Sequence, residues 1–494
     1  MKNNKNKIDL ILIRPNDKKA IYGGLPDSST ASDPPYWLAL MGGWLQDKGI
    51  SVKLIDAEYE NQNPENTVAF IEELNPLLVG IMPLGSNLNT ATWKMNGASI
   101  LINLLKLSVV NLPIFIWGYH VSALPERTMT EEKIDYVISG EGFDTIYRLI
   151  FAIKKNTPID EIQGLWYRKG KEIRGSINPQ IIQNLDELPF DGWELLPKYA
   201  YKGHLHFSFE DLSKRNQYGA VMTSLGCPFN CSFCALKFFS GEKKVRYKSP
   251  ASVVNEIEYL VNRFGVFFLR IIDECFTLNK ERTIAVCDEI IKKQFNVSIW
   301  AYARADTLDK DLIEKLYKAN IKWLGIGIES GNRHIRSNVS KGQYDVNKIK
   351  ETLKMCNDAG ISVCDNYMFG LPGDTIETMR DTLSLARELN CGYPNMYCTM
   401  AYPGSELYTI ALKNGFDLPD SWLGYAQLSY ETHPLPTENL SSKDILAFRD
   451  YAFEAFFKDN DAYFEMIRKK FGQPAVNAIN DMLKGKIKRR LLGD

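Results

Sequence analysis

Three cysteines, in the run Leu225-Gly226-Cys227-Pro228-Phe229-Asn230-Cys231-Ser232-Phe233-Cys234, form a CxxxCxxC arrangement. Thiolates at such spacing suit zinc or an iron-sulfur cluster. A closed zinc site needs a fourth ligand, and neither a CxxC pair nor a neighbouring histidine supplies one. On a four-iron cluster, three thiolates leave one iron open to a further ligand. Structural zinc, and thiols brought together only by packing, are the competing readings. The cysteines at 275, 287, 356, 364, 391 and 398 are scattered through predicted helices and strands, where a small hydrophobe is the simpler reading.

Other runs carry weaker signals. Ile272-Asp273-Glu274-Cys275-Phe276-Thr277 ends a predicted strand on two acids, which alone would read as an acidic helix start. Arg304, in Tyr302-Ala303-Arg304-Ala305-Asp306, would alone read as half of a surface ion pair. Gly325-Ile326-Gly327-Ile328-Glu329-Ser330-Gly331 sets Glu329 and Ser330 behind glycines that permit close backbone approach, and Gly370–Asp374 reads as a turn. Earlier loops follow predicted strands: Pro83-Leu84-Gly85-Ser86-Asn87, Gly118–Pro125 with His120 and Val121, and Gly140-Glu141-Gly142. His120 reads equally well as structural, and His204 and His206 as satisfied or exposed.

Positioning these groups takes two runs of alternating strands and helices. The first has strands at 8–13, 51–55, 77–82, 114–117 and 136–139, with a helix over 36–48 ending at Gly49, as a doubly wound parallel sheet requires. In such sheets ligands sit beyond the carboxyl ends of the strands, where the Gly- and Ser-rich loops collect. The second has strands at 220–224, 266–272, 298–302, 323–328, 362–369 and 395–400, which is a partial barrel of six βα units. Ser249-Pro250 opens a helix that Phe264-Gly265 closes, and Asp374 is the expected cap of another. The expected organisation is a first domain over 1–163, a connection with little core over 164–217, the barrel over 218–415 and a mainly helical segment over 416–494, whose basic end, Lys484–Arg490, reads as a solvated helix tail.

Composition narrows the class. The chain has 494 residues, 45% hydrophobic and 24% charged, with 59 basic and 60 acidic residues. A net charge of -1 gives no global field toward nucleic acid, and no DNA-reading motif follows residue 403. No apolar run reaches the roughly 20 residues that span a bilayer, and the start carries no signal-like segment, so the expected location is cytoplasmic. Neither GxGxxG after the first strand nor GxxxxGK[ST] occurs, which argues against dinucleotide and P-loop chemistry.

CPFNCSFC after a strand resembles the signature of the radical S-adenosylmethionine (SAM) superfamily, and the doubly wound domain ahead of the barrel resembles its cobalamin-dependent branch. The resemblance covers about residues 8–415. It implies a 4Fe-4S cluster on Cys227, Cys231 and Cys234 whose open iron chelates SAM, with SAM contacts at Phe233, Asp273, Glu274, Arg304, Glu329 and Ser330. It also implies cobalamin held by the loops of the first domain, at Leu84, Ser86, Asn87, His120, Val121, Gly140, Glu141 and Gly142. A DxHxxG motif is absent, so no histidine is expected beneath the cobalt.

The implied activity is reductive cleavage of SAM, with an electron from a donor such as flavodoxin or ferredoxin, and methylation of an unactivated carbon or phosphorus of a small molecule. One SAM would give the methyl group and a second the 5′-deoxyadenosyl radical. Alternatives are a cobalamin-using cyclase or rearranging enzyme and a non-catalytic cobalamin or iron-sulfur sensor. Tyr367, Tyr397 and Tyr402 near strand ends are candidate walls of the substrate pocket.

Overall fold

The computed structural model describes residues 8–494, apart from 24, 27–29, 86, 88, 177–178, 198–199, 241–243 and 342–343. The expected loop residue Ser86 lies outside the described residues.

Seven strands make the first sheet: β1 (Leu10–Arg14), β2 (Val52–Asp56), β3 (Leu78–Ile81), β4 (Ile114–Trp117), β5 (Tyr136–Ile138), β6 (Leu165–Lys169) and β7 (Glu172–Gly175). Their order is β2-β1-β3-β4-β5-β6-β7; the first five are parallel and the last two antiparallel. Strands β1, β3 and β4 are buried along their whole length, as a sheet covered on both faces demands. One face packs on helices Tyr36–Asp47 and Phe143–Lys155, the other on Pro64–Leu74 and Met95–Ser108. The order reverses between β1 and β3, so the loops after those strands flank the crevice.

The sheet runs past the boundary expected at 163, because β6 pairs antiparallel with β5. Its alternation, Leu165 and Tyr167 buried and Arg168 exposed, is only five residues long, and its neighbour in sequence, β7, is a short and mostly exposed strand with no apolar run to declare it. The connection that follows is not poor in core either. Trp193, Tyr201, Phe207 and Phe209 are buried, and Trp193 reaches helix Tyr36–Asp47 because Gly192 lies against it: a Cβ at 192 would stand 1.9 Å from the Ala39 carbonyl.

A second, all-parallel sheet follows, with β8 (Tyr218–Val221), β11 (Phe268–Ile271), β12 (Ser298–Ala303), β13 (Ile321–Glu329), β14 (Ser362–Phe369) and β15 (Tyr393–Cys398) side by side in chain order. Six strands make the partial barrel. Between β8 and β11 lies a short antiparallel hairpin, β9 (Ser224–Leu225) with β10 (Arg246–Tyr247), and the cysteine triplet sits in its loop. Helix Pro250–Phe264 starts on Ser249, whose hydroxyl accepts from the Ser252 amide at 3.2 Å, and ends on Gly265 in the left-handed region. Asp374 is not the cap of the next helix. Thr375 is, while Asp374 closes the turn by accepting from the Gly370 and Leu371 amides at 3.0 and 2.8 Å.

Helices Ser442–Phe457, Asp461–Phe471 and Gln473–Leu483 complete the chain. The basic end is solvated at Lys484, Lys486, Lys488 and Arg490, but it is not helical over 485–489 and Arg489 departs from the pattern. Arg489 is buried, ion-paired to Asp450 at 2.9 Å, and donates to the Gln427 and Ser429 carbonyls at 3.0 and 3.1 Å. It thereby pins the segment that closes one side of the barrel mouth. Among the described residues no helix is long and apolar enough to cross a membrane.

Candidate functional site

A cavity opens between the carboxyl ends of the two sheets, and both contribute to its wall. From the first come Asp33, Pro34, Trp37, Leu84, Gly85, Asn87, Asn89, Trp93 and Tyr119; from the second, all three cysteines of the triplet, Phe229, Phe233, Asp273, Glu274, Arg304, Glu329 and Lys341. Gln427, held by the Cys398 backbone at 2.9 Å on both its amide groups, adds a wall from the C-terminal segment.

The Phe229 and Leu236 amides hydrogen-bond to the sulfurs of Cys227 and Cys234, which favours thiolates. Burial still pushes the two thiols up to about 12 and about 11, so iron binding must release their protons. Among the described residues no three His, Cys, Asp or Glu side chains are grouped to hold one metal ion. A cubane needs no such grouping around one ion, because each thiolate meets a different iron.

Asp273 and Glu274 divide their work. Asp273 is fully buried, and its carboxylate accepts from the Thr223 amide and hydroxyl and from the Ser224 hydroxyl, clamping the entrance of the cysteine hairpin. It is a scaffold for the loop more than a free acceptor for SAM. Glu274 accepts from the Gly226 amide at 3.2 Å and faces the cavity; burial, then the neighbouring Asp273, push its carboxyl up to about 7. Arg304 also faces the cavity, its guanidinium 3.8 Å from the centre of the Phe229 ring, but Asp306 already holds it at 2.7 and 2.9 Å. Glu329 lines the cavity in the left-handed region at φ 65° and pairs with Lys341. Ser330 does not. It is fully buried and engages Thr382 at 3.2 Å, just beyond the end of β13 at Glu329. Tyr397 and Tyr402 line the cavity, whereas Tyr367 is buried and donates to Asp365 at 2.6 Å.

On the other wall Leu84 and Asn87 stand where expected, and the neighbouring Asn89 has a buried Oδ1 without a partner among the described residues. Carboxamides and rings on a largely apolar wall match the amide-fringed apolar face of a corrin. His120, Val121, Gly140, Glu141 and Gly142 are not in the cavity wall. His120 is buried against Thr92 and the edge of Trp422, and burial lowers its imidazole to about 3. Val121 is core, Gly140 accepts from the Trp117 indole at 3.0 Å, and Gly142 opens helix Phe143–Lys155 in the left-handed region. His204 pairs with Asp33 at 3.3 Å, and His206 stacks on Tyr393.

Glu141 forms a buried ion pair with Arg246 of β10, tying the first domain to the cysteine hairpin. A lone buried charge is strongly unfavourable, so Glu141→Ala should cost about 3–5 kcal/mol. The denaturant midpoint of the purified protein measures it, and adding Arg246→Met should restore part of the loss by removing the stranded charge.

Sequence comparison agrees with this architecture. Residues 29–150 match the B12 binding domain and residues 221–386 the radical SAM superfamily. An uncharacterised methyltransferase of Pyrococcus horikoshii, PH0819, is 29% identical over 80% of this chain and 82% of its own length. The anaerobic magnesium-protoporphyrin IX monomethyl ester cyclase of Cereibacter sphaeroides is 26% identical over 76% of this chain and 60% of its own length. The radical SAM methyltransferase TsrM of Kitasatospora setae, solved with cobalamin and a 4Fe-4S cluster, shares the fold at a TM-score of 0.73 and 16% identity, over 96% of this chain and 98% of that one. The cofactors of these two domains are a 4Fe-4S cluster, SAM and cobalamin. The chain belongs to the radical SAM superfamily, in the cobalamin-dependent branch that joins a B12-binding domain to the radical SAM barrel.

Proposed function

We propose that this enzyme methylates an unactivated carbon or phosphorus centre of a small molecule, with Cys227, Cys231 and Cys234 as the cluster ligands. The observation that carries the reading is the shared chamber: the three thiols and the loop residues Leu84, Asn87 and Asn89 line one cavity. When bound, the cluster supplies the electron that cleaves SAM and cobalamin supplies a methyl relay, chemistry that side chains alone cannot perform. Phe233, Glu274, Arg304 and Glu329 then orient SAM, while Leu84, Asn87 and Asn89 face the corrin. Tyr397 and Tyr402 close the substrate side, so that both steps occur on one bound molecule without its release. A one-electron donor of the flavodoxin or ferredoxin type completes the requirements. The name of the Pyrococcus relative supports methyl transfer.

Product counting tests the reading. With substrate present, 5′-deoxyadenosine and S-adenosylhomocysteine should form in about equal amounts per methylated product, since one SAM serves each end. Formation of 5′-deoxyadenosine alone, with an unmethylated and rearranged product, would select the cyclase chemistry named for the Cereibacter relative.

A further inference from the structure

Lys341 is buried at 8% exposure and lines the cavity. Its ammonium is ion-paired to Glu329 and stands 5.9 Å from the centre of the Phe233 ring, the residue next to Cys234. Cys231 and Cys234 line the same cavity. The local backbone is shaped for this pair. Glu329 adopts φ 65°, which non-glycine residues rarely do. A Cβ at Gly327 would stand 2.3 Å from both Lys341 Nζ and Glu329 Oε1, so a side chain there would displace the pair. Two further cations line the cavity: Arg304, paired to Asp306 at 2.7 Å and stacked on Phe229, and Arg270, 3.4 Å from Asp33.

We propose that Lys341 is a positioning charge for the redox step, held by Glu329 beside the cysteine loop so that it stabilises the reduced cluster and raises its potential. The inference rests on the reading that the three thiolates hold a 4Fe-4S cluster. In this step the cluster takes one electron from a low-potential one-electron donor and passes from the 2+ to the 1+ state. No bond changes at Lys341, and its proton stays on Nζ. The added electron is a negative charge in a poorly solvated pocket, where a nearby fixed cation lowers its energy far more than in water. Removing the cation uncovers the Glu329 carboxylate as well, and both effects disfavour reduction.

The wild-type chain and the variants Lys341→Met, Lys341→Arg and Glu329→Gln are to be reconstituted anaerobically, assayed for iron, and titrated potentiometrically with electron paramagnetic resonance detection in the absence of SAM. Lys341→Met should keep about four irons per chain yet reduce about tenfold less favourably, a shift of about 59 mV to more negative potential for a one-electron couple. Lys341→Arg should stay near wild type, and Glu329→Gln should shift the opposite way. A fully loaded Lys341→Met with an unchanged midpoint overturns the inference, as does Glu329→Gln moving in the same direction as Lys341→Met. If Lys341→Met does not hold a cluster, the sign for Glu329→Gln decides. A wild-type chain that binds no cluster would overturn the thiolate reading and this inference with it.

Discussion

Replacing Cys227, Cys231 and Cys234 together by alanine is expected to drop reconstituted iron from about four per chain to near zero and to abolish reductive cleavage of SAM. The three side chains are only part-buried and sit in the loop of a hairpin whose strands are two residues each. The fold around them does not depend on the sulfurs. Strands β8 and β11 pair through four residues, and Asp273, Arg246 and Arg282 hold the hairpin from outside the triplet. Alanine should therefore remove ligands without unfolding the barrel, and far-ultraviolet circular dichroism should be unchanged. Cys275, also in the cavity wall, is too buried to take over: the residue is 5% exposed and its sulfur lies 3.8 Å from the Thr277 hydroxyl. Iron above one per chain in the triple variant, with SAM still cleaved, would refute the ligand assignment.

The sequence made the triplet and the strand positions readable for the same reason: both are local. A CxxxCxxC run declares its chemistry within eight residues, and a strand buried on both faces declares itself as an apolar run. Phe233, Glu274, Arg304 and Glu329 are expected at the site from the family resemblance, and the last three face the cavity as barrel strand ends pointing into one mouth do. What escaped depended on partners far away in the chain. Glu141 looked like a ligand-loop acid until Arg246, 105 residues on, claimed it. Lys341 has no motif of its own and gains meaning only from Glu329, with which it pairs across 12 residues. Arg489 sat in a basic run that composition alone assigns to solvent, but Asp450 and the 427–432 segment fold back onto it. Ser330 follows Glu329 immediately, yet it is buried against Thr382 of helix Ile376–Leu389 instead of facing the cavity.

Asp273 and Glu274 are neighbours that a motif treats as one unit, and separate variants should show them to be two. Asp273→Ala strands three donors, the Thr223 amide and the Thr223 and Ser224 hydroxyls. A buried donor without a partner costs about 1–3 kcal/mol, so the combined loss is large. Arg282, which also reaches the Thr223 carbonyl at 2.6 Å, keeps the end of β8 in place. The loosened part is then β9, from which the cysteine loop departs, and iron incorporation should fall well below about four per chain. Glu274→Gln is a different experiment. The amide oxygen still accepts from the Gly226 N–H, so the loop and its iron should be retained. What is lost is the negative charge that the carboxylate carries above about pH 7. A hydrogen bond to a charged group contributes about 1.5–3 kcal/mol, which corresponds to roughly 10- to 150-fold weaker SAM binding. Iron analysis and equilibrium dialysis of SAM on the same reconstituted samples separate the two effects. Full iron in Asp273→Ala together with iron loss in Glu274→Gln would exchange the roles, making Glu274 the clamp and Asp273 the residue that meets SAM.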